Sequence, residues 1–265
     1  MDDRLVTAAA ANGAQERFAH LSPAARALLE QRTAGRDARV DAGTSRGASD
    51  GTSAPLSFAQ RRVWFFEQIT PGTATYNRPK RITLDGPLDV PALRRAVREI
   101  FRRHEVLRSA IDVRDGAPLQ HVLPLELDYL QIVDLSHDAD VERSWLAAAD
   151  AEALRPFDMA AGPLARCVLV RLAAERHVLL FTASHLAFDG WSTGLLCSEL
   201  GALYRAFATG RDSPLPELTR QYRDVAAHES LHWTDARAEP EVAYWKDALR
   251  GAPPAVRLPR EASRI

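Results

Sequence analysis

Two apolar runs of strand length, LARCVLVRLA (164–173) and HVLLFTAS (177–184), flank a short polar turn at Ala174–Arg176. They constrain the fold more than any other stretch and read as a strand pair. The second run leads straight into a lone histidine, His185. After it come Asp189 and Gly190, then Trp191 and Ser192. Successive side chains of a strand point to opposite faces, so a strand persisting to its end puts His185 on the face of Phe181 and Ala183 and turns Ser184 the other way. Gly190 permits a tight turn into the following helix. A polar loop between a strand end and a helix start is a frequent place for a ligand in α/β folds.

Helical patterns surround this pair. LSFAQRRVWFFEQI (56–69) has apolar residues at helical spacing after Ser57, and STGLLCSELGALYRAFATG (192–210) is amphipathic, with Ser192 or Thr193 as cap and Gly210 as stop. In DVPALRRAVREIFRRHEVLRS (89–109), Leu93, Val97, Ile100, Phe101 and Leu107 form one apolar stripe opposite arginines and acids. KRITLDG (80–86) alternates as a strand and ends in an Asp-Gly turn, and PEVAYWKDALRGAPP (240–254) reads as a last helix closed by Gly251 and two prolines. This mixture of elements predicts an α/β sandwich with a largely buried sheet.

The 265 residues allow one large domain or two small ones with a sizeable core. A formal net charge of -1, with arginines interleaved among acids, argues against nucleic acid or an anionic membrane as an obligate partner. No apolar stretch approaches the ~18 residues of a membrane span. The acidic start MDDRLVTAAAANG has no basic region and no continuous apolar run, so no signal peptide is expected. Cys167 and Cys197 each sit in an apolar run and read as small core residues in a reducing compartment, which places the protein in the cytoplasm. Residues 1–32 include a helix at 21–32 with Ser22 and Pro23 at its start, read as a docking or linker segment. Residues 33–54, rich in Gly, Ala, Ser and Asp, form a flexible linker, and the compact domain occupies 55–258.

Five stretches then fall in one order. Ser57, Ala59, Gln60 and Arg62 match S-x-A-Q-x-R; RRHEVLRSAI (102–111) contains R-H-E-x-L-R; RPFDMAAGPLARCVLV (155–170) contains F-D-x-x-x-G-P-L; SHLAFDGWS (184–192) matches H-H-x-x-x-D-G-W-S except at its first position; and QYRDVAAHE (221–229) contains Y-x-D-x-A. In these the chain resembles the N-terminal lobe of a nonribosomal peptide synthetase condensation domain, over residues 55 to about 258. The resemblance implies a chloramphenicol acetyltransferase-like sandwich, one lobe of it, with a mixed sheet flanked by helices. On this resemblance the second lobe is expected to be absent from the chain, and residues 259–265 are expected to start the inter-lobe connection. It also implies that His185 is the catalytic histidine, that Asp189 pairs with Arg62 to hold the loop, and that Gly190, Trp191 and Ser192 complete the active-site structure. Ser184 stands where the family has its first histidine, which should alter packing or loop support more than the chemistry.

The implied reaction is amide formation between a carrier-tethered acyl or peptidyl donor thioester and an aminoacyl acceptor. Phosphopantetheine belongs to the donor and acceptor carrier domains, and no cofactor or metal is expected on this chain itself. His185 would accept a proton from the attacking amine or hydrogen-bond the tetrahedral intermediate. With one lobe the chain is expected to be inactive alone, as a fragment of a larger synthetase. Two other readings stand beside it: a non-catalytic platform that docks a carrier domain or tailoring enzyme, and an ester-forming acyltransferase. The heterocyclising subclass is disfavoured, because it carries an aspartate at the position of His185. Residues 21–32 would meet an upstream synthetase subunit.

HESLH (228–232) matches the H-E-x-x-H zinc signature, but it falls inside the Y-x-D-x-A region and no further ligand follows at a useful spacing. A packing role is expected for Tyr222 and Asp224, a helix-surface or domain-contact role for His104, and surface positions for His20, His121, His137 and His177.

Overall fold

The computed structural model describes residues 53–253; the helix expected at 21–32, most of the linker at 33–54 and the connection at 259–265 lie outside the described residues. The apolar hairpin sets the architecture. β6 (Ala165–Ala173) and β7 (Arg176–Ser184) pair antiparallel, with Cys167 opposite Phe181 and Val168 opposite Leu180. Cys167, Leu169, Leu179, Phe181 and Ala183 join one core, whereas Val168, Val170, Leu172, Val178 and Leu180 join another. Strands that are apolar on both faces need cover on both. α2 (Val90–Arg103) and α4 (Gly190–Ala208) cover the first face through Val97, Ile100, Phe101, Leu196, Leu200 and Leu203. α3 (Val141–Leu154) covers the second through Trp145.

β2 (Asn77–Asp85) pairs antiparallel with β7 at one edge, and β5 (Leu130–Asp134) runs parallel to β6 at the other. The sheet is therefore mixed, in the order β2-β7-β6-β5. A separate antiparallel sheet has the order β1-β4-β3, from Ser53–Pro55, Ala117–Val122 and Ser109–Arg114. The expected flanked, mixed sheet is thus present, with this second small sheet added. α1 (Phe58–Ile69) docks where the two sheets meet, its Trp64 packed with Leu56, Ile111, Leu164 and Leu186. α5 (Tyr222–His232) and α6 (Asp235–Ala248) follow. At Gly162, φ is +58° and a Cβ would lie 2.8 Å from the Ser109 carbonyl oxygen, so the approach of this loop to β3 requires glycine. Among the described residues no helix is long and apolar enough to cross a membrane.

Several expected boundaries move. Ser53 and Ala54, assigned to the linker, are already strand. The stripe expected to run helically to residue 109 ends at Arg103; a 3-10 turn, Glu105–Arg108, follows and still buries Leu107. The cap of α4 is Asp189 rather than Ser192 or Thr193, because its carboxylate accepts from the Ser192 N–H while the Ser192 hydroxyl faces the Asp189 N–H. α6 begins at Asp235 and carries Pro240 inside it, forgoing the one backbone bond that a proline cannot donate. His177, expected at the surface, is buried, and burial pushes its pKa down.

The two thiols also part company. Cys167 is buried on the sheet, and burial pushes its pKa far up. Cys197, expected in the core, is exposed, since neighbouring Leu196 and Leu200 take the inward face of α4. A bulky maleimide is therefore expected to label one thiol per native chain, at Cys197, and Cys167 only after unfolding. Mass spectrometry of the labelled native chain checks this; rapid labelling at Cys167 would contradict the packing.

Candidate functional site

The site is built by the turn that follows β7. Ser184 is the last residue of the strand, 1% exposed, with its N–H on the Leu164 carbonyl oxygen at 2.9 Å. The His185 N–H continues the pairing onto the Tyr76 carbonyl oxygen at 2.8 Å, and the chain then turns. Ser184 closes that turn: its Oγ accepts from the Leu186 N–H at 3.3 Å and its carbonyl oxygen from the Ala187 N–H at 2.9 Å. Leu186 and Phe188 are buried into separate core clusters, and so peg the turn at two points.

The imidazole of His185 bonds within its own turn. Nδ1 lies 3.0 Å from the Phe188 carbonyl oxygen. A carbonyl only accepts, so this contact assigns a proton to Nδ1, and in the neutral ring Nε2 then carries the lone pair. His185 is half-buried and lines a cleft of about 370 Å³. Its walls come from α1 (Gln60, Arg62, Val63), from His104 beyond α2, and from the first turns of α4 (Ser192, Leu195). A second void of about 10 Å³ inside the core, with apolar walls such as Val97 and Phe181, is too small and too dry for a ligand.

The expected pairing of Asp189 with Arg62 is not present. Both residues line the cleft, but the Asp189 carboxylate accepts from the Ser192 N–H at 2.9 Å and hydroxyl at 2.7 Å. Among the described residues no ion pair joins it to Arg62. The helix cap satisfies this carboxylate locally, and those two Ser192 bonds hold its pKa below the usual carboxylate range. Gly190 opens the helix with φ outside the left-handed region and open space at its Cβ, so neither demands glycine. Trp191 is 90% exposed beside the cleft, with Leu195 also exposed.

Four further contacts hold the surroundings, none of them legible from the motifs. Gln60 donates through Nε2 to the Leu186 carbonyl oxygen at 3.3 Å, across 126 residues of sequence. Tyr222 places its hydroxyl 3.0 Å from Ser57 Oγ, fastening α5 to the start of α1. His104 donates through Nε2 to Glu199 at 2.7 Å, and Arg103 reaches the same carboxylate at 3.3 Å. Of the H-E-x-x-H stretch, Glu229 accepts from the Phe58 N–H at 2.8 Å and His232 meets Arg237, so its parts serve helix contacts. Among the described residues no group of three ligating side chains is placed to hold a metal ion.

Fold and turn together define an α/β sandwich whose central strand delivers one imidazole to a helix-lined cleft. The chain belongs to the condensation domain family: the family model, described as Condensation domain, matches residues 51–265. It is 40% identical over 257 residues to phosphinothricin tripeptide synthetase PhsC of Streptomyces viridochromogenes, covering 94% of this chain and 23% of that protein. It is 37% identical over 211 residues to malpibaldin synthetase of Mortierella alpina, covering 79% of this chain and 4% of the relative. Among solved structures it resembles the first condensation domain of the calcium-dependent antibiotic synthetase, at a TM-score of 0.66 and 28% identity, over 76% of this chain and 48% of that one. The starter condensation domain of rhizomide synthetase RzmA shares the fold at a TM-score of 0.69 and 20% identity, over 77% of this chain and 49% of that one. The chain thus spans under a quarter of these two curated relatives and about half of the solved condensation domains.

Proposed function

We propose that this chain is the histidine-bearing half of a condensation domain that, within a larger synthetase, forms amides between two carrier-tethered substrates in nonribosomal peptide synthesis. The observation that carries the reading is the Nδ1 bond of His185 to its own turn, which leaves Nε2 as an acceptor on the cleft wall. In the neutral ring Nε2 can take a proton but has none to donate, which supports the base role over direct hydrogen bonding to a forming oxyanion. The acceptor amine attacks the thioester carbonyl carbon and passes a proton to Nε2. The tetrahedral intermediate collapses, the C–S bond breaks, and the thiolate takes the proton back. An amide and a free phosphopantetheine thiol result, and the thiol stays on the donor carrier. Holding both arms in register supplies much of the remaining acceleration.

The partners in this reading are donor and acceptor carrier domains, and phosphopantetheine arrives on them as part of the substrates. The remaining half of the family's fold would close the cleft over Trp191 and Leu195, whose exposure beside it supports a missing wall. The PhsC match covers 94% of the chain and so reaches into the first 52 residues; in this reading the segment at 21–32 serves either contact with an upstream synthetase subunit or as a linker. Two free cysteines support a reducing, cytoplasmic setting.

Mass spectrometry of carrier-bound products tests the reading. The synthetase that carries this chain is expected to move an acyl group from a loaded donor carrier onto the amine of a loaded acceptor carrier. The chain alone is expected to give no amide. Transfer only to a hydroxyl acceptor would establish the ester-forming reading. Carrier binding without transfer would establish the platform.

A further inference from the structure

Leu186, the residue after His185, is held at both backbone polar groups by side chains. Its N–H donates to Ser184 Oγ and its carbonyl oxygen accepts from Gln60 Nε2, each at 3.3 Å. Gln60 is 2% exposed. Its Oε1 accepts from the Ser57 N–H at 3.0 Å and from Gln120 Nε2 at 3.2 Å, and Gln120, itself buried, also donates to the Pro55 carbonyl oxygen at 2.9 Å. Both groups that meet Oε1 are donors, so the amide has one orientation. A flip would set its NH₂ against two donors and its oxygen against a carbonyl.

We infer that Gln60 is a positioning residue for His185, acting through the Leu186 peptide. The turn it pins also carries the Phe188 carbonyl that fixes the His185 tautomer. Loss of the Gln60 donor leaves a buried carbonyl unpaired, and the turn relaxes to satisfy it. The Phe188 carbonyl then drifts from Nδ1, and the proton redistributes between the two ring nitrogens. Ser184 works from the other side, which gives its hydroxyl a use where the family has a histidine. The inference rests on the condensation reading for its effect on rate, but not for its effect on the ring.

Gln60→Glu is the discriminating variant. It keeps the size and both contacts at Oε1, and puts an acceptor oxygen where the donor stood once the carboxyl is ionised. The spectrum is therefore recorded at a pH where it is, with Gln60→Met beside it as the variant that has no donor at any pH. In this chain, ¹⁵N NMR of His185 is expected to move from the Nδ1–H form toward a mixture or the Nε2–H form. In the synthetase carrying the chain, kcat for amide formation is expected to fall about ten- to a hundred-fold, the scale of a catalytic group misplaced by up to ~1 Å, with KM for both carriers within about twofold. An unchanged His185 tautomer in the variant overturns the inference, whatever happens to the rate. A changed tautomer with undiminished kcat overturns the link to rate alone, and loss of the condensation reading shows separately as an unaffected His185→Ala enzyme. If Gln60→Glu does not fold, Gln60→Met removes the same donor, and the same spectrum decides.

Discussion

Replacing His185 with alanine is expected to slow amide formation by about 10²–10⁴-fold in the synthetase that carries this chain. The fold should survive, because the ring is half-buried and residue 185 keeps its backbone bond to Tyr76. Carrier affinity should hardly change, since the loss falls on the transition state. His185→Gln divides the two roles. A glutamine amide offers a donor near the position of Nε2 but is no base. If His185 takes the amine's proton, the glutamine enzyme is as slow as the alanine one; if it only hydrogen-bonds the intermediate, glutamine recovers most of the rate. Single-turnover transfer between loaded carriers measures both. An alanine variant as fast as the parent would leave only the docking platform.

The second large effect concerns stability. Glu199 on α4 is bonded to Arg103, 3% exposed, and to His104, while Arg103 also donates to the Pro216 carbonyl oxygen at 2.7 Å. Glu199→Ala strands a buried guanidinium, and removal of one partner from such a pair costs about 3–5 kcal/mol. Arg103→Met combined with Glu199→Leu should recover part of that loss, because neither charge then remains buried. Urea melts of the chain with an unchanged m value check both. Burial pushes the Glu199 pKa up, but the bonds and charges of His104 and Arg103 outweigh it and the net shift is downward. A depressed carboxyl stabilises the fold fully above the unfolded carboxylate value of about 4.3 and loses that contribution as pH falls through its lower native value. The excess stability of the parent over Glu199→Gln should therefore shrink on acidification through the native carboxyl range.

Local pattern makes part of this molecule readable. The β6–β7 pair is legible because both of its faces are buried and the runs are apolar without interruption. α2 is legible as a stripe, though not its end, since Leu107 stays buried whether the backbone is α or 3-10. The β3–β4 hairpin escapes the sequence reading although Asp115 and Gly116 at its tip both have positive φ, and an Asp-Gly pair between strand-like runs is the usual signal for one. β1 has only three residues, too few for any period. At the site, the sequence points to His185, Asp189 and Ser192, but capping chemistry rather than an ion pair claims the carboxylate. Leu186 lies 126 residues from Gln60, and Arg103 lies 96 from Glu199, and no spacing rule reaches that far.

The contact between Nδ1 and the Phe188 carbonyl has a mechanical consequence. It would be the same in neutral imidazole and in imidazolium, because in the base role proposed for His185 the proton taken up would sit on the opposite nitrogen. In that role the ring would charge and discharge once per turnover while the loop beneath it stays still. Little rearrangement then has to accompany each transfer, which is how a preorganised group lowers a barrier.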